Sequence, residues 1–240
     1  MIVLNSVSKE VGRGAFRRLV VEGVTWTIPS RAQIAIFGHR GAGVSQFLEI
    51  LAGTSLPTTG WVTRRGLTCP PSGYLKFAGF GTLRTLIERL SILYNVDPLE
   101  IGEFVESALQ RRQLLDVPVK RFPPLLRRQL SYALMYAIPC DTYLFDGAIS
   151  GGGGAAFRTF CQTAFNLRRK EAGMIVGLTS SAAGSMFDDS TAGAVLYRGR
   201  LTLYRHLSDA MAVFDALPPE EAIPNQVLSE EAEPEQEEFM

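Results

Sequence analysis

The 240-residue chain holds no apolar run of the ~18–20 residues that a membrane-spanning helix needs. Its first residues, MIVLNSVSKE, lack a basic region leading into an apolar one, so they are not expected to be a secretory signal. Three cysteines, Cys69, Cys140 and Cys161, stand alone without C-x-x-C or Cys/His spacing, so the expectation is buried, reduced thiols rather than a metal centre. Acid is scarce over most of the chain and concentrated at one end. Residues 220–240 carry eight Glu and no Lys or Arg, so residues 1–219 hold all 24 basic side chains against 16 carboxylates, a net charge of +8. A body of that charge suits an acidic partner or an anionic surface, and equally a solvated exterior. The Pro/Glu-rich end has the composition of a disordered tail.

What is present is an ordered alternation of strands and helices. Short strands are expected over Met1–Leu4, Leu19–Val21 and Gly23–Ile28. The apolar run Ile34–Phe37 is stopped by Gly38, and apolar residues then recur at helical spacing from Phe47 to Leu51. Helical spacing returns over Thr82–Tyr94, Ile101–Leu115 and Leu126–Ala137. Tyr143–Asp146 is an apolar strand ending in a carboxylate, followed by a four-glycine loop, Gly151–Gly154, and a helix near Phe157–Arg169. Met174–Leu178 reads as a second buried strand, Val195–Tyr204 as a hairpin and Ser208–Leu217 as a closing helix. This order predicts an α/β fold with a largely parallel sheet and an antiparallel edge built from the first strands.

The turn after the first buried strand reads Gly38-His39-Arg40-Gly41-Ala42-Gly43-Val44-Ser45, followed by Gln46. Against the phosphate-loop pattern G-x-x-x-x-G-K-S/T its glycines and serine are in register and the lysine is Val44. Gly38, Gly41 and Gly43 let backbone N–H groups gather around phosphate oxygens at a helix N-terminus. Ser45 offers a hydroxyl to Mg²⁺, and Asp146, ending an apolar strand, is the matching carboxylate, with a helix or loop cap as its plain structural role. Valine supplies neither charge nor donor. His39 and Arg40 read as exposed loop residues, with Arg40 as a partial substitute for the missing cation as the alternative.

From about residue 3 to 217 the chain resembles the ATP-binding subunits of ABC transporters, nearest those exporting capsular polysaccharide and O-antigen. The resemblance rests on "PSRAQIAIFGHRGAGVSQFLEILAG", "LPTTGWVTRRG", "DVPVKRFPPLLRRQLSYALMYAIPCDTYLFD" and "YRGRLTLYRHLSDAMAVFDAL" in that order. It implies the P-loop NTPase fold of ABC ATPases: a mixed, largely parallel sheet core, an antiparallel β edge and a helical subdomain at about 80–135. The nucleotide-binding domain is then 1–219 and the acidic tail 220–240. The same resemblance marks departures. Val11 stands where an adenine-stacking aromatic is usual, Val44 for the lysine, Ala78 for the metal-sensing glutamine, and Phe122–Leu126 for the signature loop. Gly147 replaces the general-base glutamate, Gly151–Gly154 cover the next aspartate, and Ser181 or Ser180 takes the place of the switch histidine.

Pro123 and Pro124 in the signature segment keep a helix start while removing two N–H donors. Gly147 can neither accept a proton nor orient a water. Losing base, positioning and charge together removes what phosphoryl transfer depends on. The resemblance therefore implies weak ATP and Mg²⁺ binding by residues 38–46 with Ser45 and Asp146, and little or no hydrolysis. It implies a permease partner, a homo- or heterodimer with another ATP-binding subunit, a peripheral place on the cytoplasmic side of the inner membrane, an assembly or regulatory role, and no nucleic acid. The alternative is a scaffold protein that kept the fold and lost nucleotide.

Overall fold

The computed structural model describes residues 1–71, 81–111, 113–150, 152–188 and 191–219. Two sheets organise it. A three-stranded antiparallel sheet has the order β2-β1-β4, from β1 (Ile2–Val11), β2 (Arg18–Ile28) and β4 (Thr59–Arg64). A six-stranded sheet has the order β5-β6-β7-β3-β8-β9. Its members are β3 (Gln33–Phe37), β5 (Thr68–Cys69), β6 (Thr142–Asp146), β7 (Gly173–Leu178), β8 (Ala192–Tyr197) and β9 (Arg200–Tyr204). All its pairings are parallel except β8 with β9, the hairpin turning at Arg198 and Gly199.

Side-chain alternation in the parallel strands creates two cores, because both faces of this sheet are covered. Ile34, Ile36, Leu144 and Ile175 face helix α1 (Val44–Ala52), which lies between the two sheets and buries Phe47, Leu48, Ile50 and Leu51 with Leu4, Val21 and Val24. Phe37, Tyr143, Phe145, Met174 and Val176 join the core on the opposite face. That core is closed by α4 (Pro124–Ala137), α5 (Ala155–Arg168) and α6 (Leu207–Ala216), with α2 (Leu83–Tyr94) and α3 (Pro98–Leu109) continuing it outward. The two expected strands at 19–28 are one, since Gly23 at φ +57° and bulged register let β2 run through the break. Conversely α3 ends at Leu109, capped by Gln110 (φ +51°), six residues short of the end its apolar spacing predicts. Leu114 and Leu115 still pack on the core, from a loop.

Arginines add side-chain donors to the backbone caps of two helix C-termini. Arg64 of β4 donates from Nε to the Leu51 carbonyl (2.8 Å) and from Nη2 to that of Ile50, tying the end of α1 to the antiparallel sheet. Arg168 does the same for α4, reaching the carbonyls of Tyr136 and Ala137. No described helix is long and apolar enough to cross a membrane.

Tyr136 is fully buried and its hydroxyl donates to the Ile149 carbonyl at 2.7 Å, while burial pushes its phenol pKa far up so that it stays protonated. Tyr136→Phe leaves that carbonyl unpaired and is expected to lower unfolding free energy by about 1–3 kcal/mol. A urea titration showing no change in midpoint would refute this account of the contact.

Candidate functional site

The carboxyl ends of β3, β6 and β7 lie side by side, so residues far apart in sequence meet at one edge, the usual ligand edge of a parallel sheet. Gly38 leaves β3 and its N–H donates to the Leu178 carbonyl at the end of β7 (3.0 Å). The loop then closes on itself, Ala42 N–H to His39 carbonyl (2.9 Å), and enters α1 through Gly43, whose carbonyl accepts from Phe47 N–H (2.9 Å). Gly41 (φ +84°) and Gly43 (φ +99°) hold the left-handed backbone that turns successive N–H groups into an anion-binding concavity. Gly43 is also sterically required: a Cβ there would stand 2.6 Å from Cβ of Val20 and 2.9 Å from its carbonyl oxygen.

Val44 opens α1 and is buried, with a different task from a lysine's. One methyl lies 2.6 Å from where a Cβ on Gly38 would stand, and the other 2.6 Å from the same point on Gly177 of β7. The branched side chain thus fills two notches left by glycines, and Leu48 lies against the same point of Gly177 at 3.0 Å. Nothing at this position carries charge toward the loop. The loop's shape is kept by apolar packing.

Ser45 and Gln46, both half-buried, occupy the first turn of α1. Asp146 is the exposed last residue of β6, its Oδ1 3.7 Å from the Cβ point of Gly177, so its carboxylate borders the patch that Val44 covers. One hydroxyl and one carboxylate at a phosphate-type loop suit Mg²⁺, which is typically held by one or two protein oxygens with phosphates and water completing the shell. No group of three or more His, Cys, Asp or Glu among the described residues forms a metal cage. Gly147 follows, exposed, at φ +89°, with open space around its Cβ position, and donates to the Gly177 carbonyl at 2.9 Å. A side chain in place of this glycine would have room but unfavourable backbone. Ser181 begins a 3₁₀ turn, Ser181–Met186, directly after β7, half-buried. Ala78, Gly151 and residues 220–240 lie outside the described residues.

His39 corrects the expectation of an exposed loop residue. It is half-buried, its ring stacked on Phe214 of α6 with centroids 4.6 Å apart, and its buried Nε2 has no hydrogen-bond partner among the described residues. Phe214 also touches Phe37, so α6 packs under the loop from behind. Arg40 is exposed as expected. In the signature segment Phe122 is buried, Pro123 caps α4 and Pro124 is its first residue, with no side-chain cap and no acid in the first turn. Neither proline has an N–H to donate, and α4 starts regardless. Tyr132 and Tyr136, one turn apart on α4, donate to the Ala148 and Ile149 carbonyls and hold down the chain after β6.

Gly177, Val20 and Phe214, which define much of the loop's packing, are not marked out as site residues by the sequence. Gly177 gave a faint signal, a lone glycine inside an apolar strand, which marks a close approach. Val20 and Phe214 gave none.

No family model matches the chain. It is 27% identical over 219 residues to the capsule polysaccharide export ATP-binding protein CtrD of Neisseria meningitidis serogroup B, covering 91% of this chain and all of that one. It is 24% identical over 216 residues to the ATP-binding protein BexA of Haemophilus influenzae, covering 90% and 98%. A polysialic acid transport ATP-binding protein, KpsT of Escherichia coli, is 27% identical over 215 residues, covering 88% and 97%. Among solved structures, the ATP-binding subunit of an ABC transporter superposes with a TM-score of 0.68 at 15% identity over 95% of this chain and 98% of that one. A dimeric bacterial ABC transporter cassette gives 0.65 at 15% identity over 85% and 98%. The fold is that of ABC transporter ATPase domains.

Glu49, on α1, has a raised pKa: burial raises it, Lys9 opposes, and the Asp146 charge adds to the rise. A carboxyl with a folded pKa above its unfolded one binds its proton more tightly when folded. The stability this adds is present at low pH and is lost as pH rises from the ordinary carboxylate range through the raised value. Glu49→Gln, neutral at every pH, should therefore melt higher than the parent at pH 7 and close to it at pH 4, both nucleotide-free. An equal gain at both values would rule out charge as the cause.

Proposed function

We propose that this homologue of capsule- and polysaccharide-export ATP-binding proteins, built on the ABC ATPase fold, is the ATP-binding-type subunit of a polysaccharide-exporting ABC transporter, impaired in hydrolysis. The observation that carries the second half of this reading is Val44. Where a lysine would reach the β- and γ-phosphates, two methyl groups are packed against Gly38 and Gly177. The cradle of Gly38, Gly41 and Gly43 persists with Ser45 and Asp146 at its rim, so the site retains elements for holding a nucleotide and Mg²⁺ weakly. Gly147 in place of a base and prolines in place of signature donors act in the same direction. A site without point charge, base or facing donors cannot lower the barrier by positioning and electrostatics.

On this reading the chain sits at the cytoplasmic face of the inner membrane against a membrane-spanning permease. It pairs with a second ATP-binding subunit or another copy of itself. Both of its contributions to a shared site are altered, which favours an assembly or regulatory role over a power stroke.

Purified protein should show no Mg²⁺-dependent ATP turnover above background. Val44→Lys should tighten ATP binding, measured calorimetrically, by roughly tenfold or more, the return of one charge-assisted hydrogen bond of about 1.5–3 kcal/mol. Robust turnover by the parent, abolished by Asp146→Asn, would overturn the impaired-hydrolysis reading. Absence of binding by both parent and Val44→Lys would favour a scaffold that has lost nucleotide altogether.

A further inference from the structure

We infer that the acidic segment 220–240 docks on the cationic surface of its own chain formed where α4 begins. That surface has an unusual charge pattern. From Val117 to Cys140 the chain contains four cations, Lys120, Arg121, Arg127 and Arg128, and no carboxylate. All four side chains are exposed. Among the described residues none of the four has an ion-pair partner; the arginine of the neighbouring strand of sequence that does, Arg84, pairs with Asp116. Arg158 of α5 extends the cationic surface. Its Nη1 donates to the Gly153 carbonyl (2.7 Å), and Gln129 of α4 lies against the Cβ position of that same glycine.

These cations stand where a helix is least able to tolerate them. Arg127 and Arg128 lie within two turns of the α4 N-terminus, whose amides already present positive potential, and the first turn carries no acid to offset it. Leu125, about half exposed, protrudes among them. The surface therefore suits a strongly acidic segment with some apolar side chains. Residues 220–240 have that composition: eight Glu interleaved with Ile223, Val227, Leu228 and Phe239. The described chain reaches Pro219 just beyond α6, on the same side of the six-stranded sheet as α4 and α5.

Reach is sufficient. A 21-residue segment spans up to about 70 Å when extended, against a radius of gyration of roughly 17 Å for a 219-residue domain. Individual exposed ion pairs are weak and salt-sensitive. Tethering supplies millimolar effective concentration, enough to populate a contact that would be negligible between separate molecules. The acid missing from residues 117–140 is thus supplied by the end of the same chain, independently of whether the phosphate loop holds nucleotide.

Lysine is sparse enough to give a clean test, with only Lys9, Lys76, Lys120 and Lys170 in the sequence. Carbodiimide coupling of the full chain at low salt should join tail glutamates to Lys120 in preference to the other three. The yield at Lys120 should fall about tenfold in the double variant Arg127→Glu/Arg128→Glu, because like charges then face each other, and should fall likewise in 0.5 M NaCl. Circular dichroism of the variant checks that the fold is retained. Coupling spread evenly over the lysines, or unmoved by charge reversal, would overturn the proposal. A one-to-one mixture of ¹⁵N-labelled and unlabelled chains should give only unmixed products. Mixed-label products in quantity would show docking onto a second copy and overturn the intramolecular assignment.

Discussion

The arrangement depends on how the first turn of α1 seats on the ends of β3 and β7. Two glycines, Gly38 and Gly177, leave notches in the sheet, and the methyl groups of Val44 fill them. Gly43 meanwhile admits Val20 of β2 against the loop from the other side. The phosphate-type loop is consequently clamped between the two sheets by steric fit, and α1 is placed between them without any charged contact at its start. This explains how such a loop can survive the loss of its lysine. Its backbone conformation is specified by glycine φ angles and apolar packing, which valine serves, while the electrostatic part of the site is a separate property that valine ends.

The same separation of shape from chemistry recurs along the sheet edge. Gly147 keeps its N–H bonded to Gly177 and so preserves the turn after β6 without offering a side chain. Pro123 and Pro124 start α4 in an allowed backbone conformation without offering N–H donors. The loop beyond β6 is held by the hydroxyls of Tyr132 and Tyr136, buried or nearly so on α4. Each of these residues suits the local backbone.

Much of the fold was legible because the buried parallel strands are short uninterrupted apolar runs and the helices have clear 3.6-residue spacing. Ile34–Phe37, Tyr143–Asp146 and Met174–Leu178 could be placed on that basis alone. Errors fell where a local signal competed with packing. Gly23 looked like a strand break, but a bulged antiparallel pairing carried β2 across it. Leu114 and Leu115 continued the helical spacing of α3, yet reach the core from a loop after Gln110 turns left-handed. Strand β4 has no clear apolar signal and contains Gly60, which sits at φ +78° beside the backbone of Asn5 and Ser6.

The sequence by itself determined the order of elements, the register of the glycine-rich loop, the absence of its lysine and the separation of a cationic body from an acidic end. These are properties of residue type and spacing along one dimension. Tertiary structure alone decided that Val44 seats against Gly38 and Gly177, that His39 turns inward onto Phe214, and that Glu49 shares an electrostatic environment with Lys9 and Asp146. The physical reason is that, apart from Val44 and Gly38 within one turn of chain, these contacts join residues 40 to 175 positions apart in the chain. Only the crossing connections of the parallel sheet bring them within van der Waals or Coulomb range.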